Sequence, residues 1–191
     1  VRRLLMVVLL AATALLAGCA GAPDRPDSPM PPGDEVPAAN SLGEADIAFL
    51  QAMVAHTEQS VEIARSVEDR INNPELTVLV AAVEVTEFDE NAMTRAWLQA
   101  VDSDSTETSG AQPTGQAIGD GGAARLRDMP DEAVDAVLCD LLGTHHRAAA
   151  ELARLHAGAG DSPQVLAYAR RVEQSRTAGA AHLDRLSPGD R

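Results

Sequence analysis

An all-α fold is predicted, an up-down-up-down four-helix bundle built from two repeated helical hairpins, and three observations predict it. The composition is 45% apolar but only 2% aromatic, dominated by Ala, Leu and Val, a mixture that favours packed helices over sheets. Apolar residues recur at helical spacing through four long segments. Those segments also match in pairs. A shift of 145 − 56 = 89 residues, without a gap, places Asp46 on Asp135, His56 on His145, Glu62 on Glu151 and Ala64-Arg65 on Ala153-Arg154. The same shift places Pro74 on Pro163 and Val83-Glu84 on Val172-Glu173. An ungapped match across a helix, its turn and the next helix marks a duplicated hairpin, and two hairpins bury on each other the faces neither can bury alone.

Residues 1–18 read as an export signal. Arg2-Arg3 is a positive start and Leu4 to Leu16 an apolar run too short for a comfortable membrane span. Leu16-Ala17-Gly18-Cys19 resembles a bacterial lipobox, which predicts cleavage before Cys19, a diacylglycerol on its sulfur and an anchor on the extracytoplasmic face of the cell membrane. Loss of Arg2 and Arg3 with the signal takes the formal net charge from -14 to -16, so nucleic acid is excluded as a partner and anionic lipid surfaces repel the folded part. The expected membrane partner is therefore reached through the anchor alone. Of the two cysteines, lipidation consumes Cys19, and Cys139 is expected to behave as a small buried hydrophobe.

Residues 19–43 contain six prolines among Gly, Asp and Ser, which predicts a flexible tether. The folded region is expected over 44–186. In its first helix Ile47, Leu50, Val54, Val61, Ala64, Val67 and Ile71 form one apolar face, and Asn72-Asn73-Pro74 stops it. Pro74 suits the first turn of a second helix carrying Leu76, Leu79, Val80, Val83 and Trp97-Leu98, closing the hairpin 44–99. Residues 102–124 are Ser, Thr, Gly, Asp and Gln without periodicity and read as a mobile loop. A third helix from about Pro130 carries Val134, Val137, Leu138, Leu141, Leu142 and Leu152, and ends at Gly158-Ala159-Gly160. A fourth runs from Pro163 to Leu186, completing the hairpin 130–186 ahead of a tail, 187–191.

Polar residues fall on the inward faces. His145 shares a stripe with Leu138, Leu142 and Ala149, and His146 is the repeat partner of Thr57, inside the first helix's apolar face with His56 at the edge. Glu87 and Glu90 lie one turn apart on the face of Leu76, Leu79 and Val83. Counted from their turns at about 1.5 Å per residue, Thr57, Glu87 and Glu90 stand level, as do His146 and Arg176. With both turns at one end of the bundle, His146, Glu87, Glu90 and Arg176 share one layer. Two readings of that layer stay open. In one, Glu87 pairs with Arg176 and the histidines bond to Glu90 or Thr57, a polar core that fixes register in a non-catalytic envelope protein. In the other, His145, His146, His56, Glu87 and Glu90 hold a transition metal, imidazole suiting copper, zinc, iron or nickel.

Enzyme chemistry finds no motif. Glu-x-x-His, the di-iron bundle signature, is absent around the His145-His146 pair, as are Gly-x-Ser-x-Gly, His-Glu-x-x-His and a phosphate loop. His156 and His182 are expected to be surface or packing residues.

Asp46-Ile47-Ala48-Phe49, then Met53-Val54-Ala55-His56-Thr57 and Glu62-Ile63-Ala64, resemble the helix motif of the domain of unknown function 305 family, Asp-x-x-Phe followed by Met, Ile or Val, and His-His. The second copy supplies Asp135, Leu138, Leu142, His145-His146 and Glu151-Leu152-Ala153, and Glu87 to Asn91 with Trp97-Leu98 resembles the partner helix. The resemblance implies a ferritin-like four-helix bundle, often exported, with copper or silver bound by His and Met in some members. In the metal reading the cofactor is copper or another transition metal, in homeostasis or envelope stress; in the other the polar core holds none. Thr57 stands for the second histidine of copy one, Ile63 and Leu152 stand for methionines, and Met93 is displaced by one position.

Overall fold

The computed structural model describes residues 42–104 and 121–187, together with Pro37. The export signal, Cys19, most of the tether, residues 105–120 and the end of the tail lie outside the described residues. No described helix is long and apolar enough to cross a membrane.

Helix α1 spans Glu44–Arg65. Its start is shaped by Asp46, whose Oδ2 accepts the Gly43 N–H at 3.1 Å, satisfying one of the orphan donors of a helix beginning. Leu42, at the end of the expected tether, packs against the core. The apolar periodicity predicts helix as far as Ile71, but α1 stops six residues earlier, at Arg65. The Ser66 hydroxyl donates to the Ile63 carbonyl at 2.7 Å, and a short 3₁₀ turn, Glu68–Arg70, follows. That turn is held by tertiary bonds: the Arg70 guanidinium donates to the carbonyls of Leu126 at 3.0 Å and of Met129, and pairs with Asp131 at 2.7 Å. Such contacts override a local periodicity because the periodicity counts only one face of one helix.

Helix α2, Pro74–Asp104, is capped by Asn73, whose Oδ1 accepts the Glu75 N–H at 2.9 Å. The short helix α3, Gly122–Arg127, begins within the stretch expected to be loop. Six residues show no readable period, and burial of Ala123 and Leu126 against the bundle supplies what local propensity lacks. Helices α4, Asp131–Ala157, and α5, Pro163–Leu186, form the second hairpin. Pro163 occupies the first turn of α5 and the Ser162 hydroxyl accepts the Val165 N–H at 3.5 Å.

Among the described residues the fold is all-α, a four-helix bundle with α3 as an addition. The direction of its helices corrects one expectation. Asp46, at the start of α1, bonds the turn after α4, and Arg70, after α1, bonds Asp131 at the start of α4, so α1 and α4 run antiparallel. The order is up-down-down-up rather than up-down-up-down, and the two hairpin turns lie at opposite ends. The end of α2 and the start of α4 accordingly lie at opposite ends of the bundle. Helical pattern alone is blind to this, since a segment reads the same in either direction.

Two repeat-equivalent aspartates lock that arrangement. Asp46 Oδ2 accepts the Ser162 N–H at 3.0 Å, while Asp135 accepts the N–H groups of Asn72 at 3.0 Å and Asn73 at 2.8 Å. Asn73 and Ser162 are themselves repeat equivalents, so the first aspartate of each hairpin clasps the turn of the other. The hairpins are thus related by a pseudo-twofold axis perpendicular to the helices. Above and below the axis lie two apolar clusters, one around Ile63, Leu76, Leu138 and Leu142, the other around Leu50, Met53, Trp97 and Tyr168.

The clasps differ in burial, since Asp46 is fully buried and Asp135 bonds its turn nearer the surface. Asp46→Ala should cost about 2–3 kcal/mol and Asp135→Ala about 1 kcal/mol, because buried orphaned N–H groups bear the larger desolvation penalty. Urea unfolding checks both, and the losses should nearly add, the sites being at opposite ends. Equal losses would contradict the assignment.

Candidate functional site

The layer between the two apolar clusters is polar and largely buried, and it is built in pairs about the pseudo-twofold axis. His56 and His145, 89 residues apart, are repeat equivalents, and they meet face to face with ring centroids 3.5 Å apart. Each ring reaches the other's backbone: His56 Nε2 lies 3.0 Å from the His145 carbonyl oxygen and His145 Nε2 lies 2.8 Å from that of His56. A carbonyl only accepts, so both Nε2 atoms carry the proton and donate. Burial, then the neighbouring His145, lowers His56 to about 3, and burial likewise lowers His145. Both rings are therefore neutral near pH 7.

Glu87 and Arg176, the next repeat-equivalent pair, face each other across the same axis, with Arg176 Nε 3.3 Å from Glu87 Oε1. They are 1% and 4% exposed, so neither charge is solvated and each needs the other. His146 Nε2 approaches the same Glu87 oxygen at 3.4 Å, and Arg176 Nη2 donates to Glu90. Burial alone would raise the Glu87 carboxyl, but His146 and Arg176 outweigh it and hold it below its ordinary value. At Glu90 burial wins, and its carboxyl is raised despite Arg176.

Four residues expected to share a layer do so: His146, Glu87, Glu90 and Arg176. The expectation assumed both turns at one end, and the turns are at opposite ends. The layer survives because these residues lie near mid-helix, where reversing a hairpin leaves the height unchanged. Thr57 does not join them. Its hydroxyl donates to the Met53 carbonyl at 3.0 Å and accepts from Asn91 Nδ2 at 2.8 Å. Nor do the histidines bond to Glu90 or Thr57; His145 takes the His56 carbonyl instead and His146 lies against Glu87.

The five proposed ligands do not converge. His56 and His145 spend Nε2 on backbone carbonyls, and Arg176 lies between the two carboxylates. Among the described residues no group of three or more His, Cys, Asp or Glu is placed to hold a metal ion. A cation of the protein's own already occupies the charge position a metal would take, so the donor set does not fit a resident metal. Cys139 is buried and its thiol is pushed up to about 11 by burial, which disfavours a free thiolate nucleophile near neutral pH.

The repeat also explains how His146 fits. A side chain on Gly179 would meet His146 Nδ1 at 2.5 Å, so the ring lies against bare backbone. The equivalent positions of the first hairpin carry Thr57 and Glu90, the small residue now on the first helix and the large one on the second. A second buried pair escaped the sequence reading: His156 Nε2 lies 3.1 Å from Asp46 Oδ1 and its ring stacks on Phe49 at 4.3 Å. The antiparallel match of α1 and α4 that joins His56 to His145 also brings Asp46 to His156, a signal available only once the helix directions are known.

Protonation of the stacked imidazoles sets a pH dependence. His56 has an ordinary value of 6.5 and is lowered to about 3 in the fold, so the unfolded chain takes the proton first. The stability it contributes is complete above about pH 6.5 and lost progressively as pH falls toward about 3. His145 acts with the same sign, as does Glu87 below its ordinary 4.5, while the raised Glu90 opposes them. The urea midpoint should fall between about pH 7 and about pH 4.5, and His56→Gln should flatten that slope. A midpoint that stays level in the wild-type chain would contradict the neutral stack.

The Domain of unknown function (DUF305) family matches residues 46–187. Two solved structures share the fold. A DUF305 protein of Streptomyces coelicolor, named as secreted, superposes with a TM-score of 0.63 at 21% identity, covering 74% of this chain and 91% of its own. A DUF305 fragment from Deinococcus radiodurans gives 0.65 at 16% identity, covering 76% and 96%. No curated protein matches the chain. With the family match extending over α1 to α5, the chain belongs to the DUF305 family.

Proposed function

We propose that this DUF305 protein is a non-catalytic binding module of the bacterial cell envelope, carried outside the cytoplasm and anchored through Cys19, whose polar layer serves the fold rather than chemistry. The observation that carries this reading is the Glu87–Arg176 pair at 3.3 Å on the pseudo-twofold axis. An enzyme or a metal carrier needs at least one reactive group left open, whereas here a guanidinium neutralises the carboxylates and two imidazoles are held by backbone carbonyls. Export is supported by the leader, by the Leu16-Ala17-Gly18-Cys19 motif and by the secreted relative. A transition-metal role, in copper-type homeostasis or envelope stress, is the competing reading. In its favour, neither ring nitrogen of buried His146 and neither carboxylate oxygen of Glu87 makes a hydrogen bond of ordinary geometry among the described residues.

Two measurements separate the readings. Arg176→Met should cost about 3–5 kcal/mol by stranding buried Glu87, and adding Glu87→Leu should recover most of that loss, since apolar pairs replace buried ion pairs well. Calorimetric titration with Cu(I), Cu(II) and Zn(II) should show no saturable binding. Stoichiometric uptake abolished by His145→Ala with His146→Ala would overturn the structural reading in favour of the metal.

A further inference from the structure

A second feature opens on the outside of the bundle, with Glu87 and Thr57 of the interior in its lining. A cleft of about 540 Å³ opens between α1, α2 and α3, within the usual range for small-molecule sites. Charges of both signs line it, Glu58, Glu62 and Glu87 against Arg65 and Arg127, and along α1 the order Glu58, Glu62, Arg65 covers a rise of about 10 Å. Glu58 is engaged by Arg95, and Arg65 gives its Nε to Glu84 at 3.0 Å. No described residue pairs with the Glu62 carboxylate or the Arg127 guanidinium, although both line the same cleft. Val61 and Phe88 add apolar surface, and Phe88 leaves 62% of its surface exposed. The cleft thus offers a ligand an exposed aromatic face together with an acid and a base that no other described residue has taken.

We propose that this cleft binds a short zwitterionic peptide of two or three residues, its free amine toward Glu58 and Glu62, its carboxylate toward Arg127 and Arg65, and an apolar side chain on Phe88. The lengths agree: an extended tripeptide spans about 10 Å at roughly 3.3–3.6 Å per residue. The chemistry agrees as well. A guanidinium matches a carboxylate fork, a carboxylate accepts from an ammonium group, and the ring supplies apolar area at low entropic cost. A purely anionic ligand would meet the two glutamates and a purely cationic one the two arginines, so only a molecule carrying both charges satisfies both ends.

The test titrates the whole protein with trileucine, trialanine, N-acetyl-trileucine and trileucine amide, followed by calorimetry and by amide shifts. Trileucine should bind saturably, with shifts at Val61, Glu62 and Phe88, and more tightly than trialanine. Each capped form should bind at least about tenfold more weakly, one lost charge contact being worth roughly that factor. Glu62→Gln should erase the preference for a free amine and Arg127→Gln the preference for a free carboxylate. Both residues are on the surface, so circular dichroism should show the fold retained. No saturable binding of any peptide, or equal binding of free and capped forms, would overturn the proposal, and neither result bears on the metal titration or on the Arg176 variants.

Discussion

The Glu87–Arg176 ion pair is the constraint on which the rest of the structure depends. Both side chains are almost wholly buried, and each would be costly alone, so the two hairpins can associate only in a register that brings them together. The pair divides the apolar core into two clusters, one at each end of the bundle. Everything else in the central layer follows from it. His146 approaches the same carboxylate and Glu90 takes the remaining charge of Arg176. The stacked imidazoles must then stay neutral, because another buried cation beside Arg176 would be uncompensated.

Duplication accounts for where these groups lie, and divergence for what they do. Repeat-equivalent residues meet at a pseudo-twofold axis, which is why His56 faces His145 and why position 87 faces position 176. Had both halves kept the same residue at the latter site, two like charges would face each other in the core. Opposite charges convert that repulsion into the pair that closes the bundle. A similar exchange of volume places His146 against Gly179, while the first hairpin carries Thr57 and Glu90 at the equivalent positions. The symmetry of the backbone is thus preserved by asymmetry in the side chains.

The same asymmetry changes how a histidine motif is to be understood. Adjacent histidines on the inner face of a helical bundle invite a metal, yet coordination needs free nitrogen lone pairs converging on one point. Here Nε2 of each stacked ring is a donor to a carbonyl oxygen, and the carboxylates already have a cation. The outer surface is different. The cleft beside Phe88 holds an acid and a base that no other described residue pairs with, so part of the molecule's interaction capacity faces outward.

The sequence by itself determined the all-α class, the two hairpins and the polar residues of the central layer, because periodicity and an ungapped repeat report directly which positions share a face. It also placed His146, Glu87, Glu90 and Arg176 at one height, since distance from a turn is counted along the chain. Only the tertiary structure decided the direction in which the second hairpin runs, and with it the pairing of His56 with His145 and of Asp46 with His156 and the far turn. The early end of α1 and the helix at Gly122–Arg127 belong to the same class, created by Arg70 and by burial of Leu126. The physical reason is common to all of them. An apolar face specifies that it must be covered, while which neighbour covers it, and whether a buried imidazole meets a carbonyl, a carboxylate or an ion, is set by groups distant in the chain.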